Sequence, residues 1–109
     1  MRTQIPQPQK GQRYRARKDL AIQGVVTFSM PYTGSFEGVL PAGEVLVVEN
    51  DPPSNATGVY LTPENYAPLE TRLISEENRG HPKYDSYAIS ISFESLHRNF
   101  ELLGSPESP

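Results

Sequence analysis

The chain contains no cysteine, which excludes disulfide bonds, thiolate metal sites, iron–sulfur clusters and cysteine nucleophiles. It has no apolar run near the roughly 18 residues that a membrane-spanning helix needs, and no signal-like apolar stretch follows Met1. Its eight glycines are scattered and form no phosphate-binding loop. We therefore expect a cytoplasmic protein without a membrane segment, a cofactor or a bound metal.

The length of 109 residues is that of one domain, and a hydrophobic content of 36% supports a core of modest size. Residues 1–10 alternate Gln and Pro with few apolar side chains, and residues 104–109 are similarly rich in Ser and Pro. Such segments bury little surface. We therefore predict a disordered tail over residues 1–10, a single domain over residues 11–103 and a second disordered tail over residues 104–109.

Positive and negative charges are divided along the chain. Residues 1–18 carry six Lys or Arg and no acid, whereas residues 19–109 carry four against thirteen Asp and Glu. This split favours one of two arrangements. The first is an anion-binding edge on an acidic body, and the second is a homo-oligomer in which the basic strand of one copy meets the acidic surface of another.

Proline and glycine, with eleven and eight residues, divide the chain into short runs. Short runs between turn residues are typical of strands, so the fold class is predicted to be mainly β. Residues 12–18 form the first predicted strand, because Tyr14 and Ala16 alternate with three arginines.

A β-hairpin is predicted around Pro41-Ala42-Gly43. Proline presets φ for the first turn position and glycine accepts a positive φ, so residues 44–49 should fold back antiparallel against residues 36–40. The returning run over residues 45–48 is apolar on both faces, which predicts a central strand.

A short helix is expected to begin at Thr62-Pro63-Glu64, which has the order of an N-cap, a first-turn proline and a first-turn acid. Pro68 limits this helix. Either one turn ends near Tyr66, or a second short helix begins at Pro68 and turns Leu69 and Leu73 inward.

The remaining elements are predicted from alternation and from turn residues. They are strands over residues 21–28 (with a bulge or bend at Gly24), 58–61, 87–93 and 100–102, loops over residues 29–35 and 75–85, and a 3₁₀ turn over residues 94–98.

The order of these elements resembles the SH3-like small barrel. Two segments carry the resemblance. The turn and central strand of such barrels are matched by LPAGEVLV, residues 40–47, and their 3₁₀ turn before the closing strand is matched by FESLHRNF, residues 93–100. The resemblance covers residues 11–103. It implies a bacterial SH3-like small barrel of about five to six short strands with a short helix or 3₁₀ turns.

Arg13, Arg15, Arg17 and Lys18 are the candidate anion-binding residues. Three or four of these cations lie along one strand face, about 6.5–7 Å apart, which is close to the spacing of successive phosphates on a nucleic-acid strand. This spacing supports anion or nucleic-acid binding as an alternative function. The competing interpretation is a solvated face whose arginines pair with Glu on a neighbouring strand.

Tyr32, Tyr66 and Tyr84 are the candidate partner-binding residues, because amphipathic aromatic side chains in loops can line a groove that stacks on prolines. The competing interpretation places most tyrosines in the core or at its rim, as expected for Tyr60 and Tyr87 in their strand runs.

The leading functional prediction is a non-catalytic interaction module. We expect it to bind a protein or peptide partner through the loops around Tyr32, Tyr84 and residues 50–54. Elimination of the recognisable catalytic patterns leads to this prediction.

A small enzyme that uses His81 or paired carboxylates is the third interpretation. The carboxylate candidates are Glu76 with Glu77 and Glu64 with Glu70. A domain of this size forms no deep cleft that would raise the pKa of one carboxyl group. The two histidines lie sixteen positions apart without any cysteine, so we expect neither catalysis nor a metal site.

Overall fold

The fold is mainly β, as predicted, in a computed structural model that describes residues 7–29 and 33–104. Within these ranges the strands are β1 (Arg13–Ala16), β2 (Leu20–Phe28), β3 (Thr33–Leu40), β4 (Val45–Val48), β5 (Gly58–Pro63), β6 (Tyr84–Ser92) and β7 (Phe100–Gly104). The helices are α1 (Tyr66–Leu73), α2 (Glu76–Arg79) and α3 (Phe93–Asn99). None of these described helices has the length and apolar character needed to cross a membrane.

The seven strands form one antiparallel sheet in the order β3-β2-β6-β5-β4-β1-β7. In the described ranges the outermost strands, β3 and β7, do not pair with each other, so the sheet is open. The predicted closed barrel of about five to six strands is therefore not confirmed. One difference lies in β3, which already begins at Thr33 and so includes the end of the predicted loop over residues 29–35.

Period-two alternation produces the core, because every second side chain of a strand points to the same face. In β1, Tyr14 and Ala16 are buried while the arginines are exposed, as the sequence predicts. In β6, Tyr87, Ile89 and Ile91 are buried in the same cluster. Helices α1 and α3 add buried leucines to it, so the described residues share one core.

Gly24 makes no bulge, which was one of the two alternatives predicted for it. It pairs in regular register with Phe36 on β3 and with Ile89 on β6, and the irregularity of β2 lies further along, after Thr27. A Cβ atom on Gly24 would stand 2.2 Å from the Ala88 carbonyl oxygen and 2.5 Å from the Phe36 ring. Close packing against Ala88 and Phe36 therefore requires a glycine at this position.

The predicted hairpin between residues 36–40 and 44–49 is wrong in its pairing. Strand β3 pairs with β2, whereas β4 pairs with β1 and β5. The turn chemistry itself is confirmed, because Gly43 has a φ of 91°. The turn thus redirects the chain without bringing its two flanking strands together.

The end of β1 and the residues after it hold this turn. The Gly43 amide donates to the Ala16 carbonyl oxygen at 2.8 Å, and the Ala16 amide donates to the Glu44 carbonyl oxygen at 2.9 Å. The Ala42 amide donates to Asp19 Oδ1 at 2.8 Å. These bonds place β4 beside β1, which is why β4 does not return along β3.

The first helix begins later than predicted. Pro63 is the last residue of β5, opposite Leu46, and α1 starts at Tyr66. Pro68 lies in the first turn of α1. Backbone N–H groups of the first turn have no intrahelical acceptor, so the N–H that proline lacks costs the helix no hydrogen bond. Leu69 and Leu73 are buried, so the inward direction predicted for them is confirmed.

Two other local predictions are corrected, and a serine N-cap explains each. Residues 76–79 of the predicted loop form α2, since Ser75 Oγ accepts from the Asn78 amide at 3.2 Å. The predicted 3₁₀ turn is α3, an α-helix of seven residues in which Ser92 Oγ accepts from the Ser95 amide at 3.1 Å.

We predict that Gly24→Ala lowers the free energy of unfolding by about 2 kcal/mol or more, because the new methyl group would overlap a backbone oxygen. Gly34→Ala on β3 is the matched control, since its nearest neighbour, a carbon of Phe28, would lie 4.0 Å from the new atom. Urea unfolding followed by circular dichroism measures both variants. Equal stability of the two variants would contradict the packing argument.

Candidate functional site

The structure brings two of the three predicted contact tyrosines together, while Tyr32 lies outside the described residues. Tyr66 begins α1 and Tyr84 begins β6, and both are half-buried. The Tyr84 hydroxyl donates to Glu70 Oε2 at 2.6 Å. The Tyr87 hydroxyl donates to the Tyr66 carbonyl oxygen at 2.8 Å, with the two rings 4.6 Å apart.

Burial governs the electrostatics of this tyrosine cluster. Loss of solvent raises the pKa of the Tyr84 hydroxyl well above its ordinary value, and the hydrogen bond to the Glu70 carboxylate raises the same pKa further. Burial also raises the pKa of Tyr87. These protonated hydroxyls hold α1 against β6. A partner-binding role for Tyr66 and Tyr84 stays a prediction.

The basic residues of the first strand meet acceptors from the same chain. Arg13 pairs with Glu64, and its hydrogen bond lowers the pKa of that carboxyl group. Arg15 Nη1 lies 3.6 Å from Oε1 of Glu101 on β7. These pairs match the competing interpretation of a solvated face.

Arg17 and Lys18 complete the predicted basic set. The Arg17 Nε donates to the Phe100 carbonyl oxygen at 3.1 Å. Lys18 is exposed and makes no ion pair within the described ranges. Anion binding by this strand stays a prediction, and it would require a polyanion to compete with two carboxylates.

The candidate catalytic groups are individually engaged or exposed. The His81 Nδ1 accepts from the Lys83 amide at 2.9 Å, and its ring stands edge-on to Phe28 at 5.0 Å. Glu76 and Glu77 lie exposed on α2. In the described part of the chain, no three His, Asp or Glu side chains lie close enough to hold a metal ion.

A different surface has the features of a contact site. The loop between β4 and β5 and the first half of β5 enclose a groove of about 330 Å³, named here the Tyr60 groove. Its lining residues are Glu49, Asn50, Asp51, Pro52, Pro53, Ala56, Gly58, Val59 and Tyr60. Tyr60 is 49% exposed, so its ring offers apolar surface to a partner.

Strand alternation positions Tyr60. Its neighbours Val59 and Leu61 point into the core, so Tyr60 points to the outer face of the sheet, opposite Ser90 on β6. The sequence interpretation assigned this tyrosine to the core or its rim. The signal that could have found the exposed ring was present, because the two flanking apolar residues already occupy the buried face.

The N-terminal segment, residues 7–11, holds the loop in place. The Lys10 amide donates to Asp51 Oδ1 at 2.7 Å, and the Gln7 side chain donates to the Pro53 carbonyl oxygen at 3.4 Å. Pro8 is buried, although the sequence places it in a tail. A cleft of about 620 Å³ separates this segment from the loop and meets the Tyr60 groove at the residue pair 51–52.

Two other cavities are less suited to binding a partner. One, of about 530 Å³, lies where β2 diverges from β6 beyond the Gln23–Ser90 pair, and it is lined largely by exposed polar and small side chains. The other is only about 220 Å³ and lies beneath Leu102. The Tyr60 groove alone among these three combines an exposed aromatic ring with prolines and carboxylates.

Comparison of the chain with protein-family models, curated proteins and solved structures finds no match.

We predict that Tyr84→Phe lowers the free energy of unfolding by about 1 kcal/mol at neutral pH, because the hydrogen bond to Glu70 is lost. Tyr60→Phe is the matched control, since the Tyr60 side chain is half-exposed. It should leave the stability at neutral pH unchanged.

Alkaline pH provides a second readout. The raised pKa of Tyr84 means that the unfolded chain loses its phenolic proton first, near pH 10, so stability falls from there upward. Tyr84→Phe should make this fall shallower, as measured by urea unfolding between about pH 8 and pH 11. An unchanged slope would show that Tyr84 titrates alike in both states.

We predict that the double variant Glu64→Gln with Glu101→Gln binds single-stranded DNA more tightly than the native chain, because Arg13 and Arg15 lose their acidic partners. Fluorescence anisotropy at about 50 and 200 mM salt measures this, and the gain should vanish at the higher salt. Glu94→Gln is the matched control. It removes the partner of an arginine on α3 instead, and an equal gain in that control would contradict a role for the first strand.

Proposed function

We propose that this chain is a non-catalytic interaction domain, which binds an extended, proline-containing and basic segment of a protein partner in the Tyr60 groove. The observation that carries the proposal is the half-exposed ring of Tyr60 beside two successive prolines, Pro52 and Pro53, at one wall of an apolar groove.

The apolar part of the groove suits an extended peptide. Tyrosine offers a large rigid surface at a low cost in side-chain entropy, and proline-rich segments dock on such aromatic surfaces with little ordering of their own. Val59 and Ala56 complete the apolar lining. The volume of about 330 Å³ is enough for a few side chains but small for a substrate that must be enclosed.

The negative charge at the rim of the groove favours a positively charged partner. Glu49 and Asp51 stand at its rim and are exposed. No Lys or Arg lies among the residues that line the groove. A Lys or Arg in the bound segment would therefore meet carboxylates, and the acidic excess over residues 19–109 would favour encounter with a basic partner.

The loop is organised before binding, which lowers the entropic cost of association. The Ala56 amide donates to the Pro53 carbonyl oxygen at 3.0 Å, which closes a turn within the loop. The Glu49 amide donates to the Tyr60 carbonyl oxygen at 3.4 Å, which joins the two walls of the groove. The bond between Lys10 and Asp51 fastens the same loop from outside.

An SH3-like ancestry is part of this proposal. The features in its favour are the turn with Gly43 at positive φ, the helical element that precedes the last strand, and the pairing of that strand with β1. On this proposal the chain is a variant of that architecture whose sheet stays open in the described ranges.

The proposal is tested with the ¹⁵N-labelled full chain and two synthetic ten-residue peptides that alternate proline with apolar residues. The two peptides differ only at a few matched positions, which are arginine in one peptide and glutamate in the other. We expect the basic peptide to shift the amide signals of residues 49–51 and 56–60. Tyr60→Ala should weaken its binding about tenfold or more, the cost of removing a buried aromatic contact.

Tyr60→Phe keeps the ring and serves as the matched control, with an affinity within about twofold of the native chain. Shifts that are equal for the two peptides would contradict the charge argument. No shift in the groove at about 1 mM basic peptide, or shifts confined to another surface, would overturn the proposed site.

A further inference from the structure

Strand β3 leaves one side of its backbone unpaired in the described part of the chain. Its eight residues pair with β2 in an unbroken register, from Thr33 opposite Thr27 to Leu40 opposite Leu20. In an antiparallel ladder, alternate residues direct their N–H and C=O groups away from the neighbouring strand. A row of donors and acceptors therefore faces outward along the whole of β3.

The sequence of this edge and its register with β2 lack several features that protect an exposed strand from pairing. Within β3 there is no proline, lysine or arginine, and Glu37 is the single charged residue. Val39 is 50% exposed on the outer face. The ladder with β2 contains no bulge that would twist the edge away from another strand.

The opposite edge of the sheet is protected. Strand β7 has only five residues, and its register with β1 shifts between Arg13 and Tyr14. The ion pair between Arg15 and Glu101 also places charge on this edge. Of the two edges, β3 is therefore the one suited to accept a further strand.

We propose that β3 pairs antiparallel with β3 of a second copy of this chain, so that the two sheets join across a two-fold axis at Phe36. In this register, residues that lie opposite each other in the two copies point to the same face of the joined sheet. Phe36 lies opposite Phe36 of the second copy on the core-facing side of the sheet, and Thr33 lies opposite Val39 on the outer side. Ser35 lies opposite Glu37, whose carboxylate can accept from the serine hydroxyl.

Other registers are less favourable. An axis between Phe36 and Glu37 would set core-facing residues of one copy against solvent-facing residues of the other. An axis at Glu37 would place two glutamates directly opposite each other, and like charges in that position destabilise a strand pair. An axis at Ser35 would pair only residues 33–37 of the two β3 strands, whereas the axis at Phe36 pairs residues 33–39.

The dimer is independent of the proposed peptide site. Tyr60 lies on β5, and both β2 and β6 stand between that strand and β3. The pairing also differs from association between the basic first strand and an acidic surface, because backbone hydrogen bonds and apolar contacts are weakly screened by salt. Either proposal can therefore fail without the other.

Sedimentation velocity of the full chain over about 10 µM to 1 mM tests the proposal. We expect a monomer–dimer equilibrium whose dimer persists at about 500 mM salt. Hydrogen exchange should slow with concentration at amides of residues 33–40 and not at those of β7. A monomer throughout this range, or a dimer that high salt dissociates, would overturn the proposal.

Charge substitutions test the register. Ser35→Glu should weaken the dimer about tenfold, because two pairs of like charges would face each other across the axis, and Ser35→Lys should strengthen it. Combining Ser35→Glu with Glu37→Lys should restore the native affinity. Ser90→Glu is the matched control, an exposed serine on β6, and should leave association unchanged.

Circular dichroism of each variant establishes that the fold is intact before association is compared. Equal weakening by Ser35→Glu and by the Ser90 control would show that general charge, not β3 pairing, governs association. Failure of the double substitution to restore affinity would overturn the register with its axis at Phe36.

Discussion

The capture of the turn over residues 41–43 by the end of β1 is the interaction on which the topology depends. The amide and carbonyl groups of Ala16 bond to Glu44 and Gly43, and this places β4 beside β1 instead of beside β3. Two consequences follow for the surface. The outer side of β3 is left without a strand partner among the described residues, and the loop after β4 comes to lie beside the N-terminal segment, where it forms one wall of the Tyr60 groove.

The tyrosines divide into supporting and exposed groups. Tyr66, Tyr84 and Tyr87 join α1 to the sheet through hydrogen bonds at the rim of the core. Their hydroxyl groups are already satisfied, so a partner would gain little new hydrogen bonding there. Tyr60 stands on the opposite face with half its surface in solvent. The first three lie at the junction of α1 and β6, whereas Tyr60 lies on the outer face of β5, where we propose that it binds a partner.

The charged residues are also divided, into those that pair within the fold and those that stay exposed at the Tyr60 groove. Arg13 and Arg15 face Glu64 and Glu101, so two of the six positive charges in the first eighteen residues are offset within the fold. Exposed pairs of this kind contribute little to stability, yet they reduce the field that a polyanion would experience. We therefore propose that Glu49 and Asp51, which form no ion pair among the described residues, influence recognition more than the basic strand does.

The sequence by itself determined the mainly β class and the buried faces of β1 and β6, because alternation is a local property that a residue such as Tyr14 or Ile89 carries wherever its strand is placed. It also determined the positive φ of Gly43. Only the tertiary structure decided the strand order, the open edge of β3 and the Tyr60 groove. Those features depend on hydrogen bonds and contacts between residues far apart in the chain, such as Ala16 with Gly43 and Gly24 with Phe36, and local patterns do not encode which strands will meet.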